Sequence, residues 1–156
     1  MKKAVELGEN EKAWMELSRA FRALERAREV ELEKFGLSPI EAAVLHALET
    51  ADAPVTPAKL SRWLYREPHT MSGLLNRMEE KGLVKKSKDL EKKNLVRVTI
   101  TKKGEQAFQQ QWEARIVPKI MSFFSKKEID SLKETLNKLE GKALGVIRDL
   151  QPLPYR

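Results

Sequence analysis

At 156 residues, with 34% charged and only 6% aromatic side chains, the chain is sized for one domain with helical extensions and can build a core without metal or disulfide staples. It has no cysteine, which excludes a disulfide framework, a Cys-ligated zinc and a thiol switch, and fits a reducing compartment. The formal charge of +7 is segregated: positions 59–103 hold 13 cations against 5 anions, the rest 17 against 18, a layout suited to a module that binds a polyanion. No apolar run reaches the length of a membrane span, and the N-terminal MKKAVELGENEK lacks a signal peptide's apolar segment. The expectation is a cytoplasmic protein with no membrane partner.

Trp14, Leu17, Phe21 and Leu24 follow a 3, 4, 3 spacing that predicts a long first helix from about Asn10 to Lys34, stopped by Gly36. Ser38-Pro39-Ile40-Glu41 combines an N-cap, a proline at the first helical position and a capping-box Glu, so a second helix follows, ending before Asp52. Ala53-Pro54-Val55 reads as a short extended piece, at most an edge strand. Thr56-Pro57 opens a third helix with Leu60, Trp63 and Leu64 inward. Pro68 opens a fourth that stops at Gly82, with Met71, Leu74, Leu75 and Met78 as its buried stripe.

Leu83–Lys86 and Leu95–Ile100 read as two strands joined by a long charged loop. Thr101 can cap a fifth helix carrying Phe108, Trp112, Ile116 and Ile120, which Pro118 should kink or end. Ser125–Glu128 is a second capping box. Beyond it, Ile129, Leu132, Leu136, Leu139, Ala143, Val146 and Leu150 keep the spacing of a seam made for another helix. The fold class is therefore mainly α with a small antiparallel β-hairpin: a winged helix-turn-helix flanked by long N- and C-terminal helices. Three segments follow: 1–36 and 105–156 for dimerisation, and 37–104 as the DNA-binding winged module.

The fourth helix carries the most informative surface. Its outer face near the N-terminus is small and polar (His69, Thr70, Ser72, Gly73, Asn76, with Arg77 as its one cation), where a merely solvated face would be mostly Glu and Lys. A recognition helix reads base edges through its first turns, and its N-terminus favours phosphate. Lys85, Lys86, Lys88, Lys92, Lys93 and Arg97 cluster in and beside the hairpin, where a wing would meet phosphates and the minor groove. The terminal seams offer more apolar surface than the small module can cover. A two-fold dimer would cover them, with Trp14, Leu17, Phe21, Ile129, Leu132, Leu136, Leu139 and Ile147 as candidate interface residues.

An enzyme is not indicated. His46 and His69 are the only histidines, and there is no phosphate loop, no metal-ligand cluster and no nucleophile beside a base, so neither a catalytic residue nor a metal or cofactor is assigned. Trp14, His46, Trp63 and Tyr65 could line a cleft, but core packing explains the tryptophans equally well, and no ligand-binding residue is assigned.

At these residues the chain resembles the MarR family of winged-helix transcriptional regulators, from about Leu37 to Gly104. "LSPIEAAVLHAL" and "TPAKLSRWL" look like the family's second and third helices. "HTMSGLLNRMEEKGLVKK" is similar to the recognition helix and following strand, and "DLEKKNLVRVTITKKG" to the wing. The resemblance implies a homodimer joined through its first and last helices on a pseudo-palindromic double-stranded operator, commonly a repressor released by a small phenolic or anionic effector. Carried over by position, His69, Thr70, Ser72 and Gly73 would face bases, Arg77 the backbone, and Lys93 would stand at the wing tip. Gly73 replaces a frequent Arg, and Lys92 the Asp that usually orients the wing, which implies a wing binding more through charge than through bidentate contact. Two other readings stand beside this one: a non-specific architectural DNA binder, and a winged-helix module for an acidic protein partner.

Overall fold

The computed structural model describes residues 7–88, 95–113 and 115–150. In chain order these form α1 (Glu9–Glu33), α2 (Pro39–Glu49), α3 (Pro57–Trp63), α4 (Pro68–Glu80), β1 (Val84–Lys88), β2 (Val96–Ile100), α5 (Lys102–Glu113), α6 (Ile116–Met121) and α7 (Lys126–Leu150). The mainly helical winged fold expected from the sequence is the one observed. The chain divides into two compact units, Met1–Ile116 and Val117–Arg156, a different line from the three segments drawn above.

Local chemistry sets most of the boundaries. Ser38 and Glu41 form a reciprocal capping box, with Ser38 N–H donating to Glu41 Oε2 at 2.8 Å and Glu41 N–H to Ser38 Oγ at 3.4 Å. Thr56 Oγ1 accepts from Lys59 N–H at 3.2 Å, and Pro57 and Pro68 occupy first-turn positions that need no donor. Gly36 and Gly82 sit at φ 66° and 73°, the left-handed conformation that ends α1 and α4. Ser125 and Glu128 form the second capping box at the start of α7.

One boundary differs from expectation. The fifth helix ends at Glu113, before Pro118, and the chain turns at Arg115, whose φ of 59° is left-handed. Pro118 falls in the first turn of α6, where its missing N–H costs nothing, so it neither kinks nor ends the helix that Phe108 and Trp112 belong to.

In the first unit, Leu45, Leu60, Met71, Leu75 and Met78 are fully buried, joined by Leu32, Val44, Leu83, Val84 and Val98. The β1–β2 pair is antiparallel with Lys86 opposite Val98, and Val98 N–H reaches across to Val55 O at 2.9 Å. The short extended piece at Val55 is therefore a single bridge on the outer side of β2. Gly104 locks α5 onto this sheet: a Cβ there would lie 2.1 Å from Leu83 O and 2.8 Å from Ile100 Cγ1, so only glycine fits. Lys81 staples the module's edge, donating to Glu41 Oε1 at 2.8 Å and to Gly36 O at 3.3 Å. Burial pushes the Glu41 carboxyl up, but hydrogen bonds from Lys81 and Ser38 outweigh it and leave the group below its usual range.

A buried polar joint ties α1 to α5. Arg28 Nη2 donates to Gln111 Oε1 at 2.7 Å, Arg28 pairs with Glu31, and Glu31 Oε1 accepts Ile116 N–H at 2.9 Å. The second unit contains the whole of the 25-residue α7, no residue of which is buried.

Candidate nucleic-acid interface

The turn between α3 and α4 fixes the angle of the fourth helix. Tyr65 adopts φ 49°, Arg66 N–H donates to Ser61 O at 2.9 Å, and the buried Ser61 hydroxyl donates back to Arg66 O. With Met71, Leu74, Leu75 and Met78 turned inward, helical periodicity turns His69, Thr70, Ser72, Asn76 and Arg77 out; all five are exposed, and Gly73 is half-buried among them. The six predicted recognition-helix residues thus share one surface. Glu67, at the N-cap, makes no side-chain capping bond, so backbone N–H groups of the first turn are left for an external acceptor.

Among the described residues, nothing requires glycine at 73. A Cβ there would meet only Arg77 Nη1 at 3.7 Å, an ordinary contact. The helix carries the cost of a mid-helix glycine, about 1 kcal/mol relative to alanine, with no return in packing. What the missing side chain leaves is a shallow gap on the outward face.

Of the predicted wing residues, Lys88 ends β1 and is exposed, and Arg97 is half-buried on β2 opposite Ser87. Lys92 and Lys93 lie outside the described residues. Lys85 is exposed on β1, and Lys86, half-buried beside it, also has partners within the chain. Its ammonium lies 2.5 Å from Asn76 Oδ1 and 3.0 Å from Glu79 Oε2, while its backbone N–H donates to Glu79 Oε1 at 2.7 Å. The backbone bond, then the ammonium, hold the Glu79 carboxyl below its usual range. Sequence reasoning missed this clamp because its partners sit on a helix and a strand seven and ten residues apart, across two elements of different periodicity.

The candidate dimer residues are exposed or partly so in the single chain. Trp14 is 66% and Phe21 57% accessible on α1, and Leu17 is exposed beside them. On α7, Leu136, Leu139 and Ile147 are exposed, and Ile129 and Leu132 half-buried. Of the four cleft candidates, His46 and Trp63 line one open groove of about 570 Å³ between the end of α2 and α3, together with Asp52 and Lys59. The Lys59 ammonium stands 4.5 Å over the Trp63 ring. His46 also meets Phe108 and Trp112, with ring centroids 6.1 and 6.0 Å away. Tyr65 belongs to the α3–α4 turn, and Trp14 to the outer face of α1.

Among the described residues, no helix is long and apolar enough to cross a membrane. The family model described as MarR matches residues 35–93, spanning the helix-turn-helix and the start of the wing. Among solved structures, the organohalide-sensing transcriptional regulator RdhR in its 2,4-dichlorophenol-bound form is 31% identical, with 96% of this chain and 92% of that one covered and a TM-score of 0.81. Its ligand-free form is 30% identical, with both chains covered in full and a TM-score of 0.81. At lower identity, where the likeness speaks for the fold alone, the S. aureus MepR–DNA complex is 18% identical over 81% of this chain and 93% of that one, with a TM-score of 0.73. No curated protein matches the chain.

Proposed function

This chain belongs to the MarR family of transcriptional regulators, and from that premise we propose that it is a homodimeric, sequence-specific binder of double-stranded DNA, a repressor whose grip is relieved by a small phenolic or anionic effector. The observation that carries the reading is the outward face of α4: small polar groups around a glycine that internal packing does not need. A groove wall that approaches the helix backbone closely gives that glycine a use. His69, Thr70, Ser72, Gly73 and Asn76 then face base edges, and Arg77 the sugar-phosphate backbone. Lys88, Lys92, Lys93 and Arg97 supply the wing's charge.

The second copy covers α7, which buries nothing in one chain, and the exposed aromatic stripe of α1. Two-fold symmetry would set two recognition helices about 34 Å apart, one turn of B-DNA. The effector class follows from RdhR, whose structure holds 2,4-dichlorophenol.

Selection of bound duplexes from a random pool, with mass measurement of the complex, tests the reading. A pseudo-palindromic motif with two copies per site is expected, preferred over random DNA by at least about a thousandfold. No enriched motif, or one copy per site, would overturn it. Titrating 2,4-dichlorophenol into the complex tests the effector: release of the DNA is expected, and unchanged affinity removes that part.

A further inference from the structure

Lys86 is a half-buried strand residue whose ammonium is engaged by side chains of α4. Glu79 takes residue 86 by both carboxylate oxygens, one on the backbone N–H and one on the ammonium, and so draws the lysine against the last turns of α4. One turn earlier on the same face is Asn76, and the ammonium meets its Oδ1 at 2.5 Å. An ammonium has donors only, so it can engage the oxygen of a carboxamide and not the nitrogen. The amide plane then has a defined sense, with the oxygen towards β1 and the two Nδ2 hydrogens away from the lysine.

An asparagine reads adenine with both ends, accepting from N6–H and donating to N7. An asparagine whose oxygen already accepts from a cation on its own protein keeps one acceptor lone pair and both donors, so the balance of what it offers a base moves towards donation. Guanine, with acceptors at both N7 and O6, answers a pair of donors; adenine sets its own N6 donor beside N7.

We propose that Lys86 is a positioning residue for base readout, and that by engaging Asn76 Oδ1 it turns the Nδ2 donors outward and biases Asn76 towards guanine over adenine at the base it meets. The inference rests on the DNA reading proposed above, and Glu79 belongs to it as the group that holds the lysine in place.

Bound duplexes are selected from a random pool with the full-length wild type and with Asn76→Ala, Lys86→Met and Glu79→Gln. The position read by Asn76 is the one whose preference disappears in Asn76→Ala. In the wild type that position should favour guanine over adenine by about tenfold or more. In Lys86→Met, which frees the carboxamide to rotate, the ratio should fall towards one or invert. Glu79→Gln keeps an acceptor for the Lys86 N–H, and hence the strand junction, while removing the carboxylate charge that holds the ammonium; it should shift the ratio in the same direction by less.

Adenine at that position in the wild type overturns the proposal, as does a guanine preference that survives both Lys86→Met and Glu79→Gln. A uniform loss across all sequences in Lys86→Met, with the salt slope lowered by about 0.9, overturns it too and makes Lys86 an ordinary phosphate contact. A wild type that enriches no motif sinks the DNA reading and this inference with it. A wild type with a motif but the wrong base sinks this inference alone.

Discussion

α4 and α7 each carry an apolar stripe at helical spacing, to opposite ends. In α4, four residues of that stripe are buried within a 13-residue helix; in the 25-residue α7, none is. Helical periodicity says that a helix has a face to cover, and nothing about what covers it. For α4 the cover is the chain's own core: Leu45, Leu60 and Val84 are as fully buried as the stripe itself. For α7 no such cover is present among the described residues, and the proposed second copy is the occupant that the family reading supplies.

Matched truncations break or sharpen this comparison most strongly. Leu75→Ala removes a fully buried side chain, and thermal unfolding should report a loss of about 2–5 kcal/mol. Leu136→Ala, at a position 45% exposed in the single chain, should leave the stability of a dilute monomer within about 0.5 kcal/mol. Its effect should appear instead in sedimentation, as a shift towards monomer. Equal losses at both sites in dilute monomer would mean that α7 is covered from within the chain.

Next in size is Gly104→Ala, which forces a Cβ against the Leu83 carbonyl and should cost about 1–3 kcal/mol in denaturant titration. Glu41→Gln should cost about 1–2 kcal/mol at pH 7 by the same measurement, through the lost Lys81 and Ser38 contacts. Because the folded state lowers the Glu41 pKa, its contribution is complete above the unfolded carboxylate value of about 4.3 and fades as pH falls through the folded value. The gap between wild type and variant should therefore narrow by pH 3, and a constant gap would remove the charge from the explanation.

The smallest change is the most discriminating. Gly73→Ala should raise stability by about 0.5–1 kcal/mol, because a helix interior prefers alanine and the Cβ meets no obstacle. If the outward face reads a groove, the same variant should bind its operator more weakly in a fluorescence titration. Unchanged affinity would separate the glycine from DNA contact.

Helix starts were legible in the sequence because caps and prolines are local signals: Ser38-Pro39, Thr56-Pro57, Pro68 and Ser125–Glu128 all open helices. The inner and outer faces of α4 were legible by periodicity alone. The break at Arg115 was not, since a left-handed arginine leaves no compositional mark, whereas Pro118 a few residues on drew the expectation to itself. The clamp of Lys86 on Asn76 and Glu79 was invisible for another reason. It depends on how β1 lies against α4, a tertiary relation that gives a partly exposed lysine partners within the chain. The need for glycine at 104 was hidden likewise, because the obstructing Leu83 carbonyl arrives from a different element.

The bridge from Val98 to Val55 has a meaning in time as well as in energy. Because Val98 N–H is spent on Val55 and the residue is buried, β2 has a covered outer side at its centre, even though the sheet has two strands. That amide can trade its hydrogen with solvent only when the root of the wing lifts off the α2–α3 connection. Its exchange rate is therefore a clock for wing opening, slow when the root is seated and readable without any ligand. On a DNA-bound protein the same clock would report whether binding at the tip is felt at the base.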